Sequence, residues 1–302
     1  MTARIGFIGV GTMGLPMAIN LARKGFAVTA FDANPDAVKA AAAAGMTAAA
    51  SAAEAVATAD LVITMLPSSP HVESVYTGDG GVLAAARRGT LCVDMSTIDP
   101  AVSQRVAKAA AERGVRFMDA PVSGGTPRAT DGTLAIMVGG AAGDFEEARP
   151  ALSAMGANVI HVGPVGSGEV VKLCNNLIAG VCGVAVSEAF RIAEGFGMDP
   201  TVVTDVISKS SGNTFLMGFM HPVPGLMPGA ASSNDYKPGF MTDLMCKDLG
   251  LAVDAARNLR VPLFVTPAAQ QVYRLASSHG LGRRDFTSVY SFLKPSSGQA
   301  PV

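Results

Sequence analysis

RIGFIGVGTMGLPMAINLARKG, residues 4 to 25, restricts the possible folds more than any other stretch of the chain. An apolar run over residues 5–8 meets Gly9, and Gly9, Gly11 and Gly14 then follow G-x-G-x-x-G spacing into an amphipathic segment. Between a strand and a helix these glycines have separate duties. The first permits a tight turn, the second lets backbone approach a pyrophosphate, and the third lets helix and strand pack closely. The helix N-terminus then faces the phosphate charge. The pattern predicts a dinucleotide cradle built from Gly9, Gly11, Thr12, Met13 and Gly14. Without a ligand, the same residues would be a glycine-rich turn and nothing more.

The chain continues the pattern. Short apolar runs at 28–32, 61–65, 91–94, 117–118, 134–138 and 159–162 read as further strands. Amphipathic pieces at 13–24, 37–44, 102–113 and 145–155 read as the helices between them. Such alternation predicts right-handed crossovers on a mainly parallel, doubly wound sheet of the Rossmann type. The alanine-rich look of residues 37–59 reads as helix surface. After residue 163 no strand is evident, only helical patterns at 168–195, 201–210, 240–259 and 265–278. With 302 residues, two domains are expected: a dinucleotide-binding domain over 1–163 and an all-helical domain over 164–302. The helix over 168–195, about 42 Å long, would join them. Apolar on nearly every face, it is expected to be buried all round. Residues 211–238, rich in Gly, Pro, Ser and Met, read as a long irregular loop of the kind that usually carries function.

Composition removes several function classes. Lys plus Arg number 23 against 24 Asp plus Glu, so nucleic-acid and anionic-membrane binding get no electrostatic support. The four cysteines lie far apart with no C-x-x-C, as expected of reduced thiols in a cytoplasmic protein without a zinc site. Residues 5–22 are uncharged, but the glycines, Pro16 and the missing cleavage site argue against a signal peptide. The stretch between Lys172 and Glu188 is too short and too polar for a membrane span, which wants about 20 apolar residues.

The second strand ends at Asp32, near the offset expected of the carboxylate that binds the adenosine ribose. No arginine follows to receive a 2′-phosphate, so NAD fits better than NADP. A turn-capping aspartate is compatible with the same residues. Leu66, Pro67, Ser96 and Thr97 fall at the carboxyl edge of the sheet, where a cofactor would lie. His71 reads as a surface group, and His161, His221 and His279 lack partners at metal-ligand or triad spacing. No metal site is expected.

Lys172 sits among apolar residues, with Asn175 and Asn176 a turn away. Lys172 and Asn176 share a helical face. Oxidation of an alcohol by hydride transfer needs a group to take the hydroxyl proton. A buried lysine can do this, since bringing its pKa from 10.4 toward neutrality takes about 4 kcal/mol, within reach of desolvation and a neighbouring positive charge. Asn176 can orient a substrate oxygen or the lysine without adding charge. The alternative is a lysine snorkelling to the surface. In DAPVSGGTPRATDGTL, residues 119–134, Ser123, Gly124 and Gly125 can present a hydroxyl and two amides to a carboxylate, or simply form a flexible loop.

Four segments in order, GFIGVGTMGLPMAINL, DAPVSGG, GSGEVVKLCNN and DLMCKDLGLA, resemble the β-hydroxyacid dehydrogenase family over almost the whole chain. The resemblance implies Lys172 as catalytic acid/base with Asn176 as its polar partner. It also implies a substrate carboxylate on Ser123 and Gly124, and Lys247 contacting substrate or cofactor. Assembly into homodimers or homotetramers through the helical domain is implied as well. The 211–240 segment is most similar to members acting on 3-hydroxyisobutyrate, in valine breakdown, although Val223 stands where they often carry an aromatic residue. Members that reduce tartronate semialdehyde are the nearest alternative. A non-catalytic NAD-binding module would have no need of Lys172.

Overall fold

The computed structural model describes residues 3–294. The chain divides into two compact units, Met1–Lys172 and Leu173–Val302.

Unit 1 holds nine strands: β1 (Arg4–Ile8), β2 (Ala27–Phe31), β3 (Thr47–Ala48), β4 (Leu61–Thr64), β5 (Leu91–Asp94), β6 (Arg116–Asp119), β7 (Val122–Ser123), β8 (Leu134–Gly139) and β9 (Gly156–Gly163). They form one sheet in the order β3-β2-β1-β4-β5-β6-β8-β7, with β9 also on β8. β3 to β6 are joined by parallel pairings, and β8 meets β6 and β7 antiparallel. The order 3-2-1-4-5-6 is that of a Rossmann sheet, and it reverses between β1 and β4, where such folds open a crevice. All seven strands read from the sequence are present. The two-residue β3 and β7 carry too little pattern to be read.

Successive residues feed opposite faces, so Leu61 and Ile63 join one apolar core while Val62 joins the other. Helices cover both: α1 (Gly14–Arg23), α2 (Pro35–Ala43), α3 (Ala52–Ala57), α4 (Ser69–Thr77), α5 (Val82–Ala85), α6 (Pro100–Glu112), α7 (Gly125–Asp131) and α8 (Ala142–Met155). α2 and α6 start where Asn34 and Asp99 cap a free amide just ahead of a proline at the first helical position. The alanine-rich stretch is not merely surface. Ala41, Ala49, Ala55 and Ala59 are buried, and a Cβ on Gly6 would lie 2.4 Å from the Ala55 carbonyl oxygen. Small residues are what allow α3 to lie this close to β1.

α9 (Ser167–Gly195) continues from unit 1 into unit 2. Unit 2 adds α10 (Pro200–Ser208), α11 (Phe215–Phe219), α12 (Thr242–Leu259), α13 (Val265–Ala276) and α14 (Val289–Phe292) around a core that includes Phe190, Leu216, Met245, Leu249 and Tyr273. α9 departs from the expectation of burial all round. Val170 is 49% exposed and Ile178 60%, whereas Glu169, Lys172, Leu173 and Asn176 are buried. Glu169, Lys172 and Asn176 face inward and several apolar residues outward. By length and composition α9 would pass for a membrane span, yet Leu177, Val181, Val184 and Phe190 join the core of unit 2.

The 211–238 segment is irregular over most of its length, as expected. It contains α11 and a 3-10 turn, Ala231–Asn234, and is organised about a buried histidine. His221 Nδ1 accepts the Val223 N–H at 3.2 Å, and its Nε2 lies 3.0 Å from Thr204 Oγ1. Because Thr204 already donates to the Pro200 carbonyl, Nε2 is the donor to Thr204. Both ring nitrogens are engaged in the neutral form, and the ring meets Phe190 edge-on. Burial pushes the imidazole down to about 4. A depressed folded value means that stability is complete above about 6.5, the unfolded value, and is lost as pH falls toward 4. Denaturant unfolding between pH 7 and 4.5 should therefore show a loss of up to about 3 kcal/mol from this residue. In His221→Gln that slope should flatten by nearly one proton. Equal slopes in the two proteins would exclude the histidine as the cause.

Candidate active site

β1 delivers the chain into the glycine turn with no room for side chains. Gly9 has φ +91°, and a Cβ there would lie 2.2 Å from the Met65 carbonyl oxygen. On Gly14 a Cβ would lie 1.8 Å from the Gly9 carbonyl oxygen, so only glycine lets α1 start so near β1. Gly11 differs, since its Cβ would meet nothing within 4 Å. Gly11 and Thr12 are exposed beside the first amides of α1, which a helix leaves without intrahelical acceptors. A glycine with open space before it and helix amides behind it fits the pyrophosphate of a dinucleotide.

Asp32 directly follows β2. Its Oδ1 accepts the Asn34 N–H at 2.8 Å, so it is a turn aspartate that still has Oδ2 for a ribose hydroxyl. The turn reading is met, and this hydrogen bond is compatible with the ribose reading. Leu66 and Thr97 are half-buried at the ends of β4 and β5, with Pro67 exposed beside them. The Leu66 N–H donates to Ser96 Oγ at 2.8 Å, which ties the two strand ends together.

Next along the edge, Asp119 ends β6 fully buried. Its carboxylate accepts the Gly166 N–H at 2.6 Å and the Glu169 N–H at 2.9 Å, capping the start of α9. Burial pushes its carboxyl up, and the backbone amides oppose that shift. Glu169, also fully buried, accepts the Ile98 N–H at 3.1 Å. The first turn of α9 is thus fastened both to β6 and to the segment following β5. Lys172, one turn further, is 5% exposed. A lysine that buried does not snorkel into solvent.

In unit 2, Asn176 is 5% exposed. Its Nδ2 donates to Asp248 Oδ2 at 2.5 Å, and its Oδ1 accepts from Asn175 at 3.0 Å. The amide is therefore oriented by protein partners at both ends. Asp248, 1% exposed, also meets Lys247 Nζ at 3.3 Å. Lys247 and Asp248, adjacent on α12, thereby join the asparagine of α9.

The 119–134 segment is more ordered than a flexible loop. Ser123 lies in β7, opposite Ala135 of β8, and α7 begins at Gly125. Gly124 has φ +138° and a Cβ there would meet Arg128 at 2.6 Å, so the turn requires glycine. Asn20 of α1 holds α7 through the Ala129 carbonyl at 2.8 Å. His71 is exposed, and its ring meets Ser68 Oγ at 2.7 Å. Among the described residues, no group of three His, Cys, Asp or Glu could hold a metal ion.

Sequence reasoning missed Asp94, Asp119, Glu169 and Asp248. Each stands next to or inside a quoted motif, but a carboxylate gives no local sign of whether it faces solvent or a buried amide. The usable signal was an acidic residue closing a strand directly after apolar residues, as in LCVD and RFMD.

Residues 4–163 match the family described as the NAD binding domain of 6-phosphogluconate dehydrogenase. Residues 166–293 match the one described as NAD-binding of NADP-dependent 3-hydroxyisobutyrate dehydrogenase. Mouse mitochondrial 3-hydroxyisobutyrate dehydrogenase is 43% identical over 96% of this chain and 87% of its own length. The NAD-dependent L-serine dehydrogenase of Pseudomonas aeruginosa is 44% identical over 98% of this chain and 99% of its own. The structure of Mycobacterium tuberculosis 3-hydroxyisobutyrate dehydrogenase with L-serine is similar, with a TM-score of 0.92 and 42% identity. That likeness covers 97% of this chain and 99% of the other.

The glycine turn makes a paired prediction. Gly14→Ala should destabilise the protein by about 2 kcal/mol or more, because backbone must move. Gly11→Val should melt near the wild type yet weaken NADH binding at least about tenfold, because the new side chain fills the cradle. Thermal melts and NADH titrations check both, and tight NADH binding by Gly11→Val would show that the phosphates lie elsewhere.

Proposed function

From the premise that the chain belongs to the β-hydroxyacid dehydrogenase family, we propose that it oxidises 3-hydroxyisobutyrate to methylmalonate semialdehyde. It is an NAD-using dehydrogenase, and the finer reading concerns substrate and residue roles. The observation that carries the roles is the buried polar face of α9, where Lys172 and Asn176 stand one turn apart while apolar neighbours face outward.

Hydride acceptance is the chemistry that bound NAD supplies. Gly9, Gly11, Thr12, Met13 and Gly14 hold its phosphates, and Asp32 accepts from the ribose hydroxyls. Asp32 would repel a 2′-phosphate, which supports NAD over NADP. Leu66, Pro67, Thr97 and Lys247 complete the cofactor contacts. Ser123, Gly124 and Gly125 hold the substrate carboxylate. Lys172, neutral at Nζ, takes the hydroxyl proton as the carbon–hydrogen bond breaks and the carbonyl forms, and returns it in reduction. Asn176 orients the substrate oxygen, itself fixed by Asp248 and Asn175. The fold bounds implied are a cofactor domain over 1–163 and a helical domain over 164–302.

L-serine is the second reading, favoured by the 44% identical serine dehydrogenase. Serine carries the same hydroxyl one carbon from the carboxylate-bearing carbon, with an ammonium in place of the methyl group. The residues around that substituent therefore decide. Of the apolar candidates, Leu216 and Met217 are buried in the core of unit 2, and Met220 packs against it. Phe215 and Phe219 remain exposed. The reading takes these side chains to surround the substituent, where they favour methyl over an ammonium buried without a partner.

Homodimer or homotetramer assembly through the helical domain is supported by apolar exposure in the single chain. α10 has no buried residue, and Phe196, Val206 and Phe264 are 83%, 56% and 83% exposed. Such surface marks an interface. The four free cysteines support a reducing, cytoplasmic setting.

Lys172→Met should fold and bind NADH while losing about 100- to 10,000-fold in kcat. A variant keeping a third of the wild-type rate would remove the lysine from the mechanism. For the substrate, kcat/KM should favour 3-hydroxyisobutyrate over L-serine and glycerate by at least about tenfold. It should exceed 3-hydroxypropionate, which lacks the methyl, by a smaller factor. Faster oxidation of L-serine would exchange the two readings and leave the reaction class unchanged.

A further inference from the structure

We propose that Asp94 is a positioning residue for the cofactor crevice, fixing through the Ser96 hydroxyl the two segments that follow β4 and β5. The inference rests on the dinucleotide lying at the carboxyl edge of this sheet, as the proposed function has it.

Asp94 is the last residue of β5 and is fully buried. Its Oδ1 accepts Thr64 Oγ1 and Ser96 Oγ, each at 2.6 Å, and lies 3.4 Å from the Ser96 amide. Both hydroxyl protons are therefore committed to the carboxylate, and each hydroxyl oxygen can only accept from its other neighbour. Ser96 Oγ accepts the Leu66 N–H at 2.8 Å. Thr64 Oγ1 accepts from the phenol of Tyr76, on α4, at 3.0 Å. One oxygen thus sets the direction of a chain of hydrogen bonds running from α4 through the end of β4 to the end of β5.

The sheet does not need this arrangement. β4 and β5 are already paired in register from Leu61↔Leu91 to Thr64↔Asp94. The preceding residues of β5, Leu91, Cys92 and Val93, are apolar and fully buried. A carboxylate in that position is costly, since Oδ2 is buried without a hydrogen-bond partner among the described residues. Burial pushes the Asp94 carboxyl up to about 6, against the lowering effect of its hydroxyl donors. What the carboxylate adds is control beyond the paired strands, where Leu66–Pro67 and Ser96–Thr97 begin. A serine without the aspartate could turn its proton toward other acceptors and leave the Leu66 amide unheld. The consequence falls on cofactor affinity and leaves the chemical step alone, because no atom of this network belongs to the proton-transfer groups.

The test uses the full chain and NADH emission, which is read against no tryptophan because the chain has none. Asp94→Ala and Ser96→Ala should each raise the NADH Kd about tenfold, the loss of one charge-assisted hydrogen bond. In both, kcat at saturating NAD should stay within about threefold of wild type. Asp94→Asn keeps an acceptor oxygen and should bind NADH within about threefold of wild type. If Asp94→Ala does not fold, Ser96→Ala, which removes one oxygen, decides alone. Wild-type NADH affinity in the folded variants overturns the assignment, as does a fall in kcat with Kd unchanged. A wild-type protein that fails to bind NADH overturns the cofactor placement itself, and with it this inference.

Discussion

A buried carboxylate must be held by donors, and the first turn of α9 supplies them to Asp119. Helix N-terminal amides lack partners and carry partial positive charge, so an ionised aspartate beneath them satisfies both sides at once. The bonds from Gly166 and Glu169 fix where α9 starts and in which direction it leaves the sheet. Glu169, held there, reaches back to the Ile98 amide. The placement of Lys172 relative to the edge of β5 follows from these contacts. The sheet already frames the glycine turn and the strand ends, and Asp119 adds the start of α9 to that frame.

The same helix shows why a lysine can be buried here. Its inward face carries Glu169, Lys172 and Asn176, and its outward face carries Val170, Val171 and Ile178. The arrangement opposes the hydrophobic effect on both sides. On the inner side the polar groups are compensated, as the Asn176–Asp248–Lys247 contacts illustrate. On the outer side, among the described residues, Val170, Val171 and Ile178 stay exposed.

Two buried polar centres use the same physical device for different ends. At Asp94 an acceptor that binds two hydroxyls dictates the direction of every bond downstream. At His221 a neutral ring accepts on one side and donates on the other, tying Val223, in the segment between α10 and α12, to Thr204 of α10. Each trades solvation for a defined geometry, and each is surrounded by apolar packing that keeps water from competing. Buried polar groups of this kind specify one arrangement where packing alone would tolerate several.

The sequence by itself determined the alternation of strands and helices, the glycine turn and the change to an all-helical second half. These are readable because periodicity and the steric demands of glycine act over a few residues. It also marked Lys172, Asn176, Ser123, Asp32 and Lys247 by residue type and motif. It did not disclose β3, β7 or the order within residues 211–238, since two-residue strands and single turns leave no period to detect. Nor did it show that Ala41 and Ala55 are core, that α9 turns Glu169, Lys172 and Asn176 inward, or that Asn176 is oriented by Asp248. Only the tertiary structure decided those points. A carboxylate, an amide and a histidine read alike in a loop and in a core until folding brings their partners from distant segments. The pairs that matter here, Asp119 with Gly166 and Asn176 with Asp248, are separated by 47 and 72 residues.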